Sequence, residues 1–339
     1  MEYFLLSLIP IFIFIVNLLL KKYTLISNYS GESHQIFIGK KIIPLSGGIF
    51  LSSFCILGFI DQFTFLNAFI FVIFLLGLSS DLNLISSPKL RLFLQSIFIF
   101  LFVYFSKLHV GLTRIYFLDL ILDNILLSYF FTTFCLLIVI NGTNFIDGLN
   151  GLVLGYYGTI LIIIFKLDLI NNLDVDENNF IYFIYLIFCL FLFNIFDQLY
   201  IGDSGAYLLG FIVGFFLIII YQANATISPF YIILLLWYPC FENLFSIMRK
   251  FKFKKSPIFP DTKHLHQLLF YFIKKKFSNN SLYSNNLASF LILFYNIIIF
   301  VLASNYISYT QLHIFLIFLN MIVYYFFYSR LLFFRYKIK

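Results

Sequence analysis

The chain has 339 residues, 62% of them hydrophobic and 11% charged, with a net charge of +7. An ordinary soluble domain carries about 25% charged residues, so a water-exposed globule is excluded, and apolar runs that are continuous rather than alternating exclude a membrane β-barrel. What remains is an all-α polytopic integral membrane protein, read as a single domain over 1–339 because no stretch is long and polar enough to form a separate soluble module.

Hydropathy places helices near 3–20, 43–60, 64–79, 90–106, 124–140, 149–166, 180–197, 205–221, 229–248, 287–304 and 310–329, about eleven spans in all. The first run, Phe4 to Leu20, lacks a basic leading segment and a small-residue cleavage site, so it is expected to be retained. The run at 64–79 is short enough to stop below the far interface. Cys55, Cys135, Cys189 and Cys240 lie inside apolar runs without paired spacing and read as small buried hydrophobes.

Orientation follows from the basic residues. With the N-terminus outside and the C-terminus cytoplasmic, 19 of the 22 Lys and Arg fall inside, among them Lys21, Lys22, Lys40 and Lys41. Only Lys107, Arg114 and Lys166 fall outside. Asp174, Asp176 and Glu177 then form an outer solvated surface with Asn171 and Asn172, whereas Asp81, Asp147, Asp203, His264 and His266 all lie inside.

The inside loops carry the chemistry. Pro44 to Gly48 reads either as a turn before a span or as a backbone nest for a phosphate, the turn being favoured. In the next loop Asp81 closes one helix and Pro88 opens another, followed by Lys89 and Arg91, cations suited to anchoring or to attracting anionic lipid or phosphate. Asn141 to Leu152 sets one aspartate, three asparagines and three glycines between two hydrocarbon runs. A carboxylate so close to a bilayer points to function. If the segment is helical, Asn141, Asn144 and Asp147 share a face, and Gly142, Gly148 and Gly151 thin another. The bland reading makes Asp147 a cap for the following helix.

Tyr200 to Ala206 holds a glycine-flanked acid at a helix start, so Asp203 is either an N-cap or a Mg²⁺ ligand, with Asn194 and Asp197 approaching the same surface. The long basic loop at 249–286 contains Ser256-Pro257, Pro260-Asp261 and His264-Leu265-His266, which suggest recognition of an anion more than a zinc site. Glu242 needs a partner inside the membrane, and Arg249, two turns on, lies on its face.

Together these segments resemble the polyprenyl-phosphate N-acetylhexosamine-1-phosphate transferase superfamily, the bacterial glycosyltransferase family 4 type. Its members begin O-antigen (lipopolysaccharide), enterobacterial common antigen and teichoic acid synthesis. The resemblance runs from Pro44 to about Leu269 and is most specific at Asn141–Leu152, Ile201–Gly205 and Asp261–His266. The ending through Arg249, Ser256-Pro257 and His264-Leu265-His266 looks like the undecaprenyl-phosphate GlcNAc-1-phosphate transferase branch. It looks less like the pentapeptide translocase, with its three consecutive histidines.

The resemblance implies Mg²⁺ (or Mn²⁺) on Asp203, and Asp81 and Asp147 as catalytic acids. It further implies a substrate site drawn from Asn141, Asn144, Lys89, Arg249, His264 and His266. It implies transfer of a sugar-1-phosphate from a UDP-N-acetylhexosamine to undecaprenyl phosphate at the cytoplasmic face of a bacterial inner membrane. Two anions must meet there, so the work is positioning and neutralisation.

The partners are then those two substrates and the lipid bilayer, with no nucleic acid and a homodimer as one open assembly. The first acid of the family's Asp-Asp pair is Ser80 here, and Asn150 stands where many members have Asp. A serine is no base at neutral pH, so either Asp81 deprotonates the acceptor or no base is needed. Two alternatives stay open: a transporter or flippase, which would place acids near mid-membrane in related halves, and a catalytically impaired member.

Overall fold

The computed structural model describes residues 2–27, 42–59, 64–171, 173, 175–252 and 262–337. Lys40, Lys41, Asn172, Asp174, Ser256, Pro257, Pro260, Asp261 and Lys339 lie outside the described residues. Among those described, the structure is helical apart from two isolated β-bridges, Ser27 with Pro44 and Leu45 with Tyr200.

In chain order the helices are α1 (Glu2–Lys22), α2 (Gly47–Phe59), α3 (Thr64–Asp81), α4 (Pro88–Ser106), α5 (Tyr116–Leu122), α6 (Ile125–Ile146) and α7 (Leu152–Lys166). They continue as α8 (Glu177–Ile195), α9 (Gly202–Ala223), α10 (Pro229–Leu235), α11 (Trp237–Lys252), α12 (Leu265–Lys276), α13 (Ser281–Ser304) and α14 (Thr310–Lys337). Six of them, α4, α6, α8, α9, α13 and α14, are long and apolar enough to cross a membrane, or seven if α10 and α11 count as one span. The chain therefore has the build of a multi-pass membrane protein.

Each helix expected from hydropathy has a counterpart, with three differences. The short α5 was not foreseen, the ninth helix is broken, and the basic stretch 249–286 carries α12 where a loop was expected.

Starts follow local chemistry. Pro88 opens α4 behind Ser87, whose hydroxyl accepts the Leu90 N–H. The Asn124 side chain accepts from Leu126 and Leu127 at the start of α6. Asp176, read as plain surface, caps α8 by accepting the Asn178 N–H at 2.7 Å.

The bundle is built around α9, buried along almost its whole length and packed against α2, α3 and α6. The N-terminus of α2 runs beside that of α9: Gly47 N–H donates to the Tyr200 carbonyl and Gly48 N–H to that of Ile201. A side chain on Gly47 would stand 2.7 Å from the Ile201 backbone. The Pro44–Gly48 stretch is thus closed by packing, with Pro44 and Leu45 in the two β-bridges and the Gly47 and Gly48 amides already engaged.

α10 and α11 meet at a 75° bend. Proline at 239 has no N–H to give the carbonyl four residues back, so that of Leu235 is left over. The Tyr156 hydroxyl of α7 fills the gap, donating to the Leu235 carbonyl at 2.8 Å and accepting from Tyr238 N–H at 3.3 Å. Tyr156 and Tyr238 are both buried. The cysteines are all unpaired, Cys55 and Cys189 buried and the other two partly so.

Tyr156→Phe leaves both groups at the bend without that partner, and the expected loss is about 1–3 kcal/mol, read as a lower midpoint in thermal unfolding of the detergent-solubilised protein.

Candidate active site

Helix α9 starts without a cap of its own. Ile201 occupies the N-cap position and has no polar atom to offer its first-turn amides. The missing acceptor comes from the end of α3. Asp81 Oδ1 accepts the Asp203 N–H at 2.8 Å, and Oδ2 accepts the Ser204 N–H at 3.0 Å and its hydroxyl at 2.7 Å.

Gly202 permits this contact. Its φ is +70°, and a Cβ there would stand 2.8 Å from Asp81 Oδ2. Neither Asp203 nor Ser204 is the cap; Asp81 caps α9 from another helix. Its two oxygens are engaged by three donors.

Asp203 sits in the first turn of α9 with its side chain 26% exposed. Its Oδ2 lies 2.8 Å from Arg91 Nη1 and also accepts the Ser80 hydroxyl, whose oxygen in turn accepts from Arg91. Ser80 therefore joins arginine to aspartate, where an acid at the same place would add a second carboxylate to Asp203.

Arg91 is a residue the sequence reading left out of its site, choosing Lys89 instead. Two positions on one helix point about 200° apart, and the structure turns Lys89 outward and Arg91 toward Asp203. Gln95, one turn after Arg91 and buried, marks the same inward face; that was the available signal.

The Asn141–Leu152 segment closes α6 and opens α7. Asn141 is held by its own helix and by α4, donating to the Leu137 carbonyl at 2.9 Å and to Gln95 Oε1 at 3.2 Å. Asn144 donates to the Tyr207 hydroxyl of α9 at 3.3 Å, one turn beyond Asp203. Asn141 thus serves as a strut between helices, and Asn144 reaches α9.

Asp147 is the C-cap residue of α6, while Gly151 holds the N-cap position of α7, so the reading of Asp147 as a cap for α7 is set aside. Burial, and then the charges of Asp203 and Asp81, raise the Asp147 carboxyl well above the ordinary carboxylate range. The three acids therefore lie close enough to feel one another.

Asn150 has a local reason. Its Nδ2 donates to Asp197 Oδ1 at 2.7 Å while its backbone N–H donates to Asn285 Oδ1 at 2.7 Å. Asn194 accepts the Gly151 N–H and donates to the Leu199 carbonyl at 2.9 Å.

The histidines come from the start of α12. His264 stacks on Phe145 with ring centroids 5.3 Å apart, and His266 stacks on His264 at 5.6 Å. His266 reaches the loop because residue 148 is glycine: a Cβ there would stand 2.6 Å from Nε2. His266 is fully buried, and burial lowers its pKa to about 3, against the opposing pull of Glu242, so the ring is neutral at pH 7.

The partner expected for Glu242 is corrected. Its contacts are Leu265, Tyr324 and the two histidines, whereas Arg249 Nη2 donates to Ser246 Oγ at 3.2 Å. α12 folds back under the bend and reaches Glu242 before Arg249 does.

Comparison with known proteins bears on this arrangement. Residues 63–221 match the sequence profile described as glycosyl transferase family 4. Over that stretch, a little under half of the chain, the sequence is similar to this family. A curated relative, the undecaprenyl-phosphate alpha-N-acetylglucosaminyl 1-phosphate transferase of Thermotoga maritima, is 28% identical over 131 residues. That stretch covers 38% of this chain and 39% of the relative, so the match spans about two fifths of the relative's length. The family 4 segment takes in Asp81, Arg91, Asn144, Asp147 and Asp203 and stops before Glu242 and the histidines.

Within the family 4 segment the donors are hard carboxylate oxygens. Among the described residues no three His, Cys, Asp or Glu side chains form a ready-made metal cluster. Carboxylate oxygens suit an ion such as Mg²⁺, which uses one or two of them and takes its remaining ligands from water and phosphate, better than zinc. Asp203, partly exposed, and Asp147, under repulsion from its neighbours, are the fitting pair.

Asn150→Asp sets a carboxylate against that of Asp197. Like charges raise the folded-state pKa, so the variant's stability deficit should widen as pH rises through the carboxylate range and narrow on acidification. Thermal midpoints of variant and parent from about pH 4 to pH 8 check the sign.

Proposed function

We propose that the chain transfers a sugar-1-phosphate of the N-acetylhexosamine type from a UDP-sugar to undecaprenyl phosphate, giving an undecaprenyl-diphosphate sugar and UMP. In this reading it performs the first membrane step of a cell-envelope polysaccharide, with its site on the cytoplasmic face of a bacterial inner membrane. The observation that carries the reading is that Asp81, Arg91, Asn144, Asp147 and Asp203, drawn from α3, α4, α6 and α9, meet at one end of the bundle. A proton relay would want acids spread across the membrane's depth.

Donor diphosphate and acceptor phosphate repel each other, so positioning and charge neutralisation are the main task. Asp203, with Asp147 beside it, would hold Mg²⁺, which would supply positive charge to the donor's diphosphate. Arg91, already 2.8 Å from Asp203, brings a second positive charge to the same oxygens. Asp81 acts by holding the first turn of α9, which sets where Asp203 points. Asn144 and the His264–His266 pair line the side nearest α12.

A polyprenyl phosphate is largely ionised at neutral pH, so its oxygen can attack the sugar-linked phosphorus without a base. This agrees with Ser80, which cannot serve as one, and with an Asp81 carboxylate occupied by α9. Direct attack requires no covalent intermediate on the protein.

Purified protein given UDP-GlcNAc, undecaprenyl phosphate and Mg²⁺ should release UMP, with other UDP-sugars run alongside to define the donor. Chelation of the metal should stop the reaction and added Mg²⁺ restore it. Asp203→Asn should lower the rate by about 10²-fold or more. UMP release from no donor would overturn the transferase reading, and full activity in Asp203→Asn would overturn the metal assignment.

A further inference from the structure

Glu242 is 1% exposed in the second half of the bent span, and groups from two other helices converge on it. Its Oε1 accepts the Leu265 N–H at 2.7 Å, the first amide of α12. Its Oε2 accepts the Tyr324 hydroxyl of α14 at 2.6 Å. The imidazoles of α12's start complete the shell, with His264 Nδ1 3.6 Å from Oε2 and His266 Nδ1 3.8 Å from Oε1. A carboxylate this deep is costly unless its oxygens are satisfied, and the amide and the phenol suffice for that. Two ring nitrogens turned to the same carboxylate go beyond what an anchor requires.

The geometry has a chemical consequence for each ring. A bare nitrogen lone pair facing a carboxylate is repelled, whereas an N–H is attracted, so both rings are biased to carry the proton on Nδ1. Nε2 is then the acceptor edge of each ring. For His266 the Nε2 edge faces Gly148, the neighbour of Asp147. His264 lies flat against Phe145 of the same segment. α12 packs against α13 and α14, and Arg335 Nη2 of α14 donates to Thr262 Oγ1, just ahead of α12, at 3.0 Å. Glu242 is therefore not needed merely to keep α12 attached.

We infer that Glu242 is the positioning residue of the histidine pair: it seats the first turn of α12 and sets the tautomer and tilt of His264 and His266 against the Asn141–Leu152 segment. What the oriented rings then serve rests on the transferase reading; their orientation does not. Glu242 never touches substrate in this scheme and acts through the two rings.

The test reads both levels on the full-length protein in lipid nanodiscs. ¹⁵N-histidine spectra are recorded, with His264→Asn and His266→Asn assigning the two signals. The parent should show the Nδ1–H form at both positions. Glu242→Gln, which keeps the shape and an acceptor for Leu265, should shift both toward mixed tautomers. UMP release should fall about 10–100-fold, the size typical of a group that orients a functional histidine, with Glu242→Asp recovering part of both signals.

Unchanged His264 and His266 signals in Glu242→Gln would overturn the inference, whatever happens to activity. If Glu242→Gln fails to fold, Glu242→Asp decides alone: shifted signals support the inference and unchanged ones overturn it. A tautomer shift in a protein that releases no UMP with any donor would uphold the positioning and sink the transferase reading.

Discussion

The structure depends on one hydrogen-bonded contact between two helices, the carboxylate of Asp81 on the N-terminus of α9. A buried helix start needs acceptors for its first amides, and α9, the most enclosed helix of the bundle, has isoleucine where its cap would be. Asp81 satisfies two amides and a hydroxyl at once, at the positive end of the helix dipole. The contact locks α3 to α9 in one register. Asp203, whose own N–H is one of the donors, is aimed by the same bonds.

Around that joint the remaining charges fall into a consistent pattern. Arg91 of α4 balances Asp203, and Ser80 links the two without adding charge. Asp147 arrives from α6 as a third acid with its charge opposed by the other two. The bent span adds a second joint, in which Tyr156 satisfies the backbone that Pro239 disrupts, and α11 carries Glu242 to α12. The two joints bring helices distant in sequence to the same end of the bundle.

Much of this is legible in the amino-acid sequence. The Asn141–Leu152 segment announced itself because amides, glycines and an acid are costly beside hydrocarbon, and Asp203 did so by its flanking glycines. Other details were hidden by helix geometry. Lys89 and Arg91 look equivalent in a line of residues, yet only one can face inward, and the neighbour that settles it is Gln95 a turn away. Arg249 lies on Glu242's face by periodicity, but α12 reaches Glu242 first. Ser80 looked like a lost acid, and its environment shows a hydroxyl joining an arginine to an aspartate. A capping role was weighed for Asp147 and Asp203, and the residue that caps is Asp81, sixty positions or more from either.

The sequence by itself determined the class of protein, the positions of its helices and the segments that carry its polar chemistry. Those follow from local quantities: transfer free energy summed over a run, proline and capping residues at helix ends, and the cost of a charge near lipid. Only the tertiary structure decided which polar groups meet. Whether Asp81 caps a helix or faces a substrate, and whether Glu242 pairs with an arginine or two histidines, depends on helix rotation and on the bend at Pro239. Those are set by packing among elements far apart in the chain, where no local pattern records the outcome.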